Sequence, residues 1–226
     1  MVSPVIGVVI PSYNDKLFLE RLFDSLYDVR PGAPFWPVIV DDQSNDGTER
    51  WIANNIRSYA SAIRTGEKSY FTRSCNMGID YCRRELHSPW YLLLNSDVTV
   101  TDNWASALLT TAKSLHAAVV GATLLNPDST VQHVGAYGQG AHFHIDKPWT
   151  VRHSDRIVPW VTGAAMMIGN PVIDLVGLLP TKDMTQYDAS DREFCGAARL
   201  RGFEVAVSAG CILYHYTHES RQARGV

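Results

Sequence analysis

Short apolar runs that end abruptly on polar residues alternate with helical stripes through the first 115 residues, and few folds accommodate that pattern. "WYLLLNSD" shows it most plainly: Trp90–Leu94 is too short for a typical helix and too apolar for a surface loop, so it reads as a buried strand. Val5–Ile10 is a similar run, stopped by Pro11, and "WPVIVDD" is another. A weaker third strand falls near Ala62–Arg64. Between them, Asp15–Asp28 places Phe18, Leu22 and Leu26 at a four-residue spacing, beside Leu19 and Phe23. Asn45 or Asp46 can cap the helix "DGTERWIANNIR", Thr72–Glu85 reads as helical, and Asp102 is the expected N-cap of "NWASALLTTAKSLH".

Strand–helix alternation predicts an α/β protein built on a doubly wound, mostly parallel sheet with helices on both faces. Right-handed crossovers bring the carboxyl ends of the strands to one edge, where ligands bind in such sheets. Three polar clusters converge there: "PSYN", "DDQSNDGT" and "NSD". Adjacent side chains on a strand point to opposite faces, so at least one of Asp41 and Asp42 should face the crevice. There it can accept hydrogen bonds from a base N–H or from ribose hydroxyls.

The second half is less regular. "AVVGATLL" is strand-like, 126–129 is a turn, and 130–160 reads as hairpins or a long loop rich in Gly, His and Trp. "VPWVTGAAMMIG" is expected to be a strand with Gly163 inside it, where missing bulk admits a ligand. "SDREFCGAARLRG" is a short helix ended by Gly202, opened by a capping box of Ser190 and Glu193, and "FEVAVS" and "CILYHY" are closing strands. No repeat or linker divides the chain, so 1–226 is expected to form one domain, whose regular half (1–115) gives way to a less regular one (116–226).

Composition excludes several classes. The net charge of −3 and the lack of a Lys/Arg block give no footprint for nucleic acid. No run reaches the roughly 18–20 apolar residues of a membrane span. The four cysteines form no C-x-x-C pair, and a reducing, cytoplasmic setting is expected.

"VIGVVIPSYN", "VIVDDQSNDGT", "CNMGI" and "YLLLNSDV", in that order, resemble the family 2 inverting glycosyltransferases of GT-A fold. "VTGAAMMIG", "VGLLP", "SDREFC" and "LYHYTHES" resemble the segments that follow in the rhamnosyltransferase-like branch. The resemblance covers Val5 to about Ser220. It implies transfer of a sugar from a nucleotide-sugar donor to a hydroxyl of a glycan, glycolipid or protein-linked glycan, with inversion and with Mn²⁺ or Mg²⁺ as cofactor.

The same resemblance implies the site residues. Asn95-Ser96-Asp97 stands where the family carries an acidic D-x-D, leaving Asp97 as the principal carboxylate for the metal–diphosphate. His215 matches the family's late histidine and would complete the metal shell or hydrogen-bond the diphosphate, with His218 as the local competitor. Asp191 aligns with the general base, with Asp188 and Glu193 as alternatives; the Glu that precedes the base in the family is Ser190 here. Pro11, Ser12, Tyr13, Asn14, Arg73 and Asn76 would complete the donor site, Tyr13 either stacking on the base or packing. Gly163 and Ala164 would floor the acceptor pocket, with Trp149 and Trp160 as its wall. A zinc site from His142, His144 and His218 lacks diagnostic spacing.

Two other classes compete. A nucleotidyltransferase would carry a Gly-rich basic loop after the first strand, and "PSYNDK" is not one. A catalytically impaired nucleotide-sugar-binding relative is favoured by the departures at Asn95 and Ser190.

Overall fold

The computed structural model describes residues 6–56, 58–136, 145–148, 154–181 and 190–217. The strands are β1 (Ile6–Ser12), β2 (Phe35–Asp41), β3 (Ser61–Arg64), β4 (Trp90–Leu94), β5 (Val98–Thr99), β6 (Ala117–Leu125), β7 (Thr130–His133), β8 (Ile145–Pro148), β9 (Arg156–Ile157), β10 (Ala165–Gly169) and β11 (Glu204–His215). The helices are α1 (Lys16–Asp28), α2 (Thr48–Asn55), α3 (Tyr70–Arg84), α4 (Trp104–Ser114), α5 (Asn170–Val176) and α6 (Ser190–Leu200).

All the described strands join one sheet, ordered β3-β2-β1-β4-β10-β6-β11-β5, with β7 and β8 extending from β6 and β9 pairing with β11. β1, β2, β3 and β4 run parallel, and β10 is antiparallel to both β4 and β6. Because β11 is parallel to β6, the sheet from β3 to β11 runs one way except at β10, and β5 at its end is antiparallel to β11.

Period-2 alternation divides the apolar side chains between the two faces. Val8, Ile10, Leu92 and Leu94 pack with Leu19, Leu22 and Leu26 of α1 and with Trp104 of α4. Val9, Val38, Val40, Tyr91 and Leu93 pack on the other face, with Cys75, Ile79 and Cys82 of α3 and Phe194 of α6. Burial on both faces explains the unbroken apolar runs of the central strands. All four cysteines are free and buried; burial pushes the Cys82 and Cys195 thiols up to about 12.

α3 approaches the sheet at Gly78, where an added Cβ would overlap Val9 Cγ1 and press on Val40 Cγ2 at 3.2 Å. Gly78→Ala is therefore expected to cost about 1–3 kcal/mol despite alanine's better helix propensity. Denaturant unfolding measures this, and a variant as stable as wild type would show that the contact yields freely.

Several local expectations are corrected. Pro11 does not stop β1, which continues to Ser12; β4 pairs β1 only as far as Val9, so Pro11 sits where the strand has one neighbour. Asp102 does not cap α4, since Asn103 holds the cap position in left-handed conformation and Asp102 accepts the Arg30 N–H at 2.8 Å. Gly163 lies before β10 and not within it. The two closing strands are one strand, β11, with an irregularity between Ser208 and Ile212.

Candidate active site

The strand order reverses direction between β1 and β4, and a cavity of about 360 Å³ opens beyond their carboxyl ends. Pro11, Ser12, Tyr13, Asp42, Asn95, Ser96 and Asp97 line it, together with Asp15, Lys68, Tyr70, Phe71 and Ser74.

The metal-motif end is built by β5 and β11, whose pairing sets His215 opposite Val98 and brings it beside Asp97. The Tyr216 N–H donates to the Asp97 carbonyl at 2.8 Å, fixing that register. His215 Nε2 lies 3.1 Å from Asp97 Oδ1, and both side chains are buried. On the far side of the ring, Nδ1 lies 2.6 Å from Gln132 Oε1. The Gln132 amide is oriented by its Nε2, which donates to Asn126 Oδ1 at 2.9 Å and to the His215 carbonyl at 3.3 Å. Its oxygen therefore accepts the Nδ1–H. In that tautomer the Nε2 lone pair faces Asp97, with the Asn95 amide nitrogen 3.4 Å and Thr217 Oγ1 3.2 Å away. A carboxylate oxygen and an imidazole nitrogen turned toward one another are both ligand types that divalent cations accept.

Ser12 Oγ, Ser74 Oγ and Asn95 Oδ1 are buried, line the cavity and have no hydrogen-bond partner among the described residues. Leaving such atoms unsatisfied costs about 1–3 kcal/mol each, so the cavity is chemically suited to a polar ligand. Asp15 joins this wall, accepting the Ser96 hydroxyl at 2.6 Å.

At the other end Asp42 holds the loop before α3. Its Oδ1 accepts the Ser69 N–H at 2.6 Å and the Thr65 hydroxyl at 3.2 Å; its Oδ2 accepts the Tyr70 N–H at 2.9 Å and lies 3.0 Å from Lys68 Nζ. Lys68 Nζ also sits 2.7 Å from the centroid of the Tyr13 ring. Burial lowers the Lys68 pKa, and Asp42 opposes the shift.

Asp191, on the first turn of α6, accepts the Gly163 N–H at 3.1 Å on Oδ2. The neighbouring Ala164 carbonyl accepts the Asn95 N–H at 2.9 Å, so the base candidate and the metal motif meet through 163–164. The Ser190 hydroxyl lies 3.1 Å from Thr72 Oγ1, tying α6 to α3.

Other predicted site residues have different tasks. Asp41 pairs with Arg64 and accepts the Ser44 N–H, and it does not line the cavity. Asn14 joins the loops after β1 and β2, accepting the Asn45 N–H at 2.9 Å. Asn76 clamps the backbone of Leu179 at 2.9 and 3.0 Å, and with Arg73 it borders a separate depression. Trp160 is buried in the core beside His133, so it forms no acceptor wall. Trp149, His142, His144, His218 and Asp188 lie outside the described residues.

Lys68, Tyr70, Phe71, Ser74, Asp15 and Gln132 were not anticipated. The rule that strand ends gather at one edge also covers the loop after the third strand, and applied there it points to 65–71.

The sequence matches the family model described as glycosyl transferase family 2 over residues 7–160. It is 24% identical to an uncharacterised protein, y4gI, of Sinorhizobium fredii over 97% of this chain. It is 22% identical to the O-antigen biosynthesis protein RfbC of Myxococcus xanthus over 99% of this chain. The chain spans 25% and 18% of those two relatives. The fold is similar to GalNAc-T7, crystallised with UDP, GalNAc and Mn²⁺, at a TM-score of 0.74 and 14% identity, covering 95% of this chain and 44% of that one. It is also similar to S. aureus TarS in complex with UDP, at a TM-score of 0.69 and 16% identity, covering 93% of this chain and 60% of that one. With the sheet, the cavity at its edge and a family match over most of its length, the chain belongs to glycosyl transferase family 2.

Proposed function

We propose that the protein transfers a sugar from a nucleotide-sugar to an acceptor hydroxyl with inversion, using Asp191 as general base. The observation that carries this reading is the Asp97–His215 pair, turned toward one another at 3.1 Å beside a cavity holding unpartnered polar atoms.

Asp97 and His215 fit a hard divalent cation such as Mn²⁺ or Mg²⁺: one carboxylate and one imidazole leave the remaining positions to diphosphate and water. Among the described residues no cluster of three His, Cys, Asp or Glu forms a self-sufficient metal cage. A cation bound there would offset the charge developing on the departing nucleoside diphosphate. The chain supplies the rest. Ser12, Ser74 and Asn95 offer hydrogen bonds to the donor, and Tyr13 offers a stacking face. Asp191, held by the Gly163 N–H, takes the proton from the acceptor hydroxyl as its oxygen attacks the anomeric carbon. The oxygen–carbon bond to the acceptor forms as the bond to the diphosphate breaks on the opposite face. One base and one good leaving group suffice, unlike the paired carboxylates of a retaining hydrolase.

Release of nucleoside diphosphate from UDP-, GDP- and dTDP-sugars with Mn²⁺ tests the reading. Turnover supports it; nucleotide binding with no turnover across donors and acceptors favours the catalytically impaired relative.

Gln132 acts through His215. Gln132→Leu removes the acceptor that fixes the ring tautomer and is expected to weaken Mn²⁺ affinity about 10- to 100-fold. Mn²⁺ titration by electron paramagnetic resonance measures this, and unchanged affinity would remove Gln132 from the metal site.

A further inference from the structure

α1 and α2 enclose a surface groove of about 590 Å³ that shares no lining residue with the cavity beyond β1 and β4. Its walls are aromatic. Phe23 and Trp51 meet edge to face with ring centroids 5.5 Å apart, and Tyr27 and Tyr59 do the same at 4.9 Å. The Tyr27 hydroxyl donates to the Tyr59 carbonyl at 2.7 Å, tying the end of α1 to the segment after α2. Tyr27 and Tyr59 nevertheless stay 46% and 38% exposed. The rim is acidic. Glu20, Asp24 and Asp28 follow one another at four-residue spacing along α1, and all three line the groove. Lys16 approaches Glu20 at 3.7 Å, whereas Asp24 and Asp28 form no ion pair among the described residues.

We infer that this groove docks an extended segment of a partner protein that carries arginines at alternate positions. A guanidinium stacks on an aromatic ring while donating paired N–H groups to a carboxylate, and the groove offers both surfaces together. The ammonium of lysine lacks the planar fork and meets only part of that demand. The spacing of the acids supplies the register. Residues four apart on a helix lie about 6 Å apart along its axis. Alternate side chains of an extended strand leave one face about 6.6–6.8 Å apart. The carboxylates at 20, 24 and 28 therefore face the arginines of an Arg-x-Arg-x-Arg segment, with the tyrosine and tryptophan rings beside them. Exposed carboxylates alone attract any cation weakly. The ring walls are what select arginine, and aromatic residues and arginine are where protein interfaces concentrate their binding energy.

The test is a nuclear magnetic resonance titration of the isotope-labelled protein with the end-blocked heptapeptide Gly-Arg-Gly-Arg-Gly-Arg-Gly. The indole N–H of Trp51 is the reporter, identified by its absence from Trp51→Phe. One comparison peptide replaces every arginine by lysine, and another gathers the arginines into one run. Saturable movement of the Trp51 signal is expected, with the alternating peptide binding about threefold or more tightly than either comparison. Asp24→Asn combined with Asp28→Asn should weaken that binding about tenfold, the sum of two exposed ion pairs. A thermal melt establishes that the double variant is folded. A Trp51 signal that does not move, equal affinity for all the peptides, or unchanged affinity in the double variant would overturn the inference. So would spermine binding as tightly as the alternating peptide, which would make the groove a site for small polyamines.

Discussion

Asp191→Asn is expected to lower nucleoside diphosphate release by about 10²- to 10⁴-fold, the range over which a positioned general base accelerates proton transfer. The substitution is close to silent structurally. An asparagine oxygen can still accept the Gly163 N–H that Asp191 Oδ2 receives at 3.1 Å, so the 163–164 turn and its tie to Asn95 are retained. Basicity is lost, together with the acceptor for the Arg192 N–H that Oδ1 receives at 2.7 Å. Nucleotide affinity should therefore match wild type, and Tm fall only slightly, while turnover collapses. Steady-state kinetics with the best donor, alongside calorimetry, separates these quantities. Retained turnover would move the base elsewhere, with Glu193 on the same helical turn as the next residue to test.

Asp97→Asn carries the second large effect, and its stability change is as informative as its activity. Replacing the carboxylate by an amide removes the anionic ligand of the proposed metal site. Metal-dependent nucleotide affinity should fall by more than the about 10- to 100-fold expected of a supporting residue such as Gln132. Without metal, however, Asp97 Oδ1 lies 3.1 Å from His215 Nε2, and a neutral ring with its proton on Nδ1 sets a lone pair against the carboxylate. An asparagine at 97 can donate its N–H to that lone pair, so the metal-free variant should melt at or above the wild-type Tm. A clear drop in Tm would show that the metal-free pair is an imidazolium–carboxylate ion pair, because breaking a buried pair is strongly destabilising. Unchanged metal dependence of nucleotide binding would remove Asp97 from the metal site.

The first half of the chain was largely legible in the sequence, for a physical reason. Central strands covered by helices on both faces must be apolar throughout, and Trp90–Leu94 was delimited to the residue. The break from Leu94 to Asn95 then marks the sheet edge, where Asp97 lines the cavity. β3 was harder. Its "SAIR" is a short edge strand with alternate residues exposed, so the signal was weak and the loop after it, which carries Lys68 and Tyr70, was not counted at the edge.

Long-range contacts escaped for a different reason. Gln132 meets His215 across 83 residues, and Asn76 meets Leu179 across 103, and no local pattern encodes either encounter. The aromatic reading of Trp160 failed because an indole ring serves a sugar wall or a packed core equally well. In the fold it packs against His133 while Ala136 pairs with its backbone, and it is 7% exposed. Asp41 and Asp42 were rightly expected to point in different directions, and only Asp42 faces the cavity. The donors that saturate it come from 65–70, a loop whose own composition carries no signal of that contact.

The proposed function requires the cavity beyond β1 and β4 to bind a nucleotide with the help of a metal. Calorimetric titration of UDP, GDP and dTDP into the wild-type protein, with Mn²⁺ and again with a chelator, tests it most directly. At least one of these nucleotides is expected to bind at one site per chain, and chelation to weaken the binding sharply. Absence of binding by every nucleotide under both conditions would contradict it, as would binding of equal strength with and without the metal.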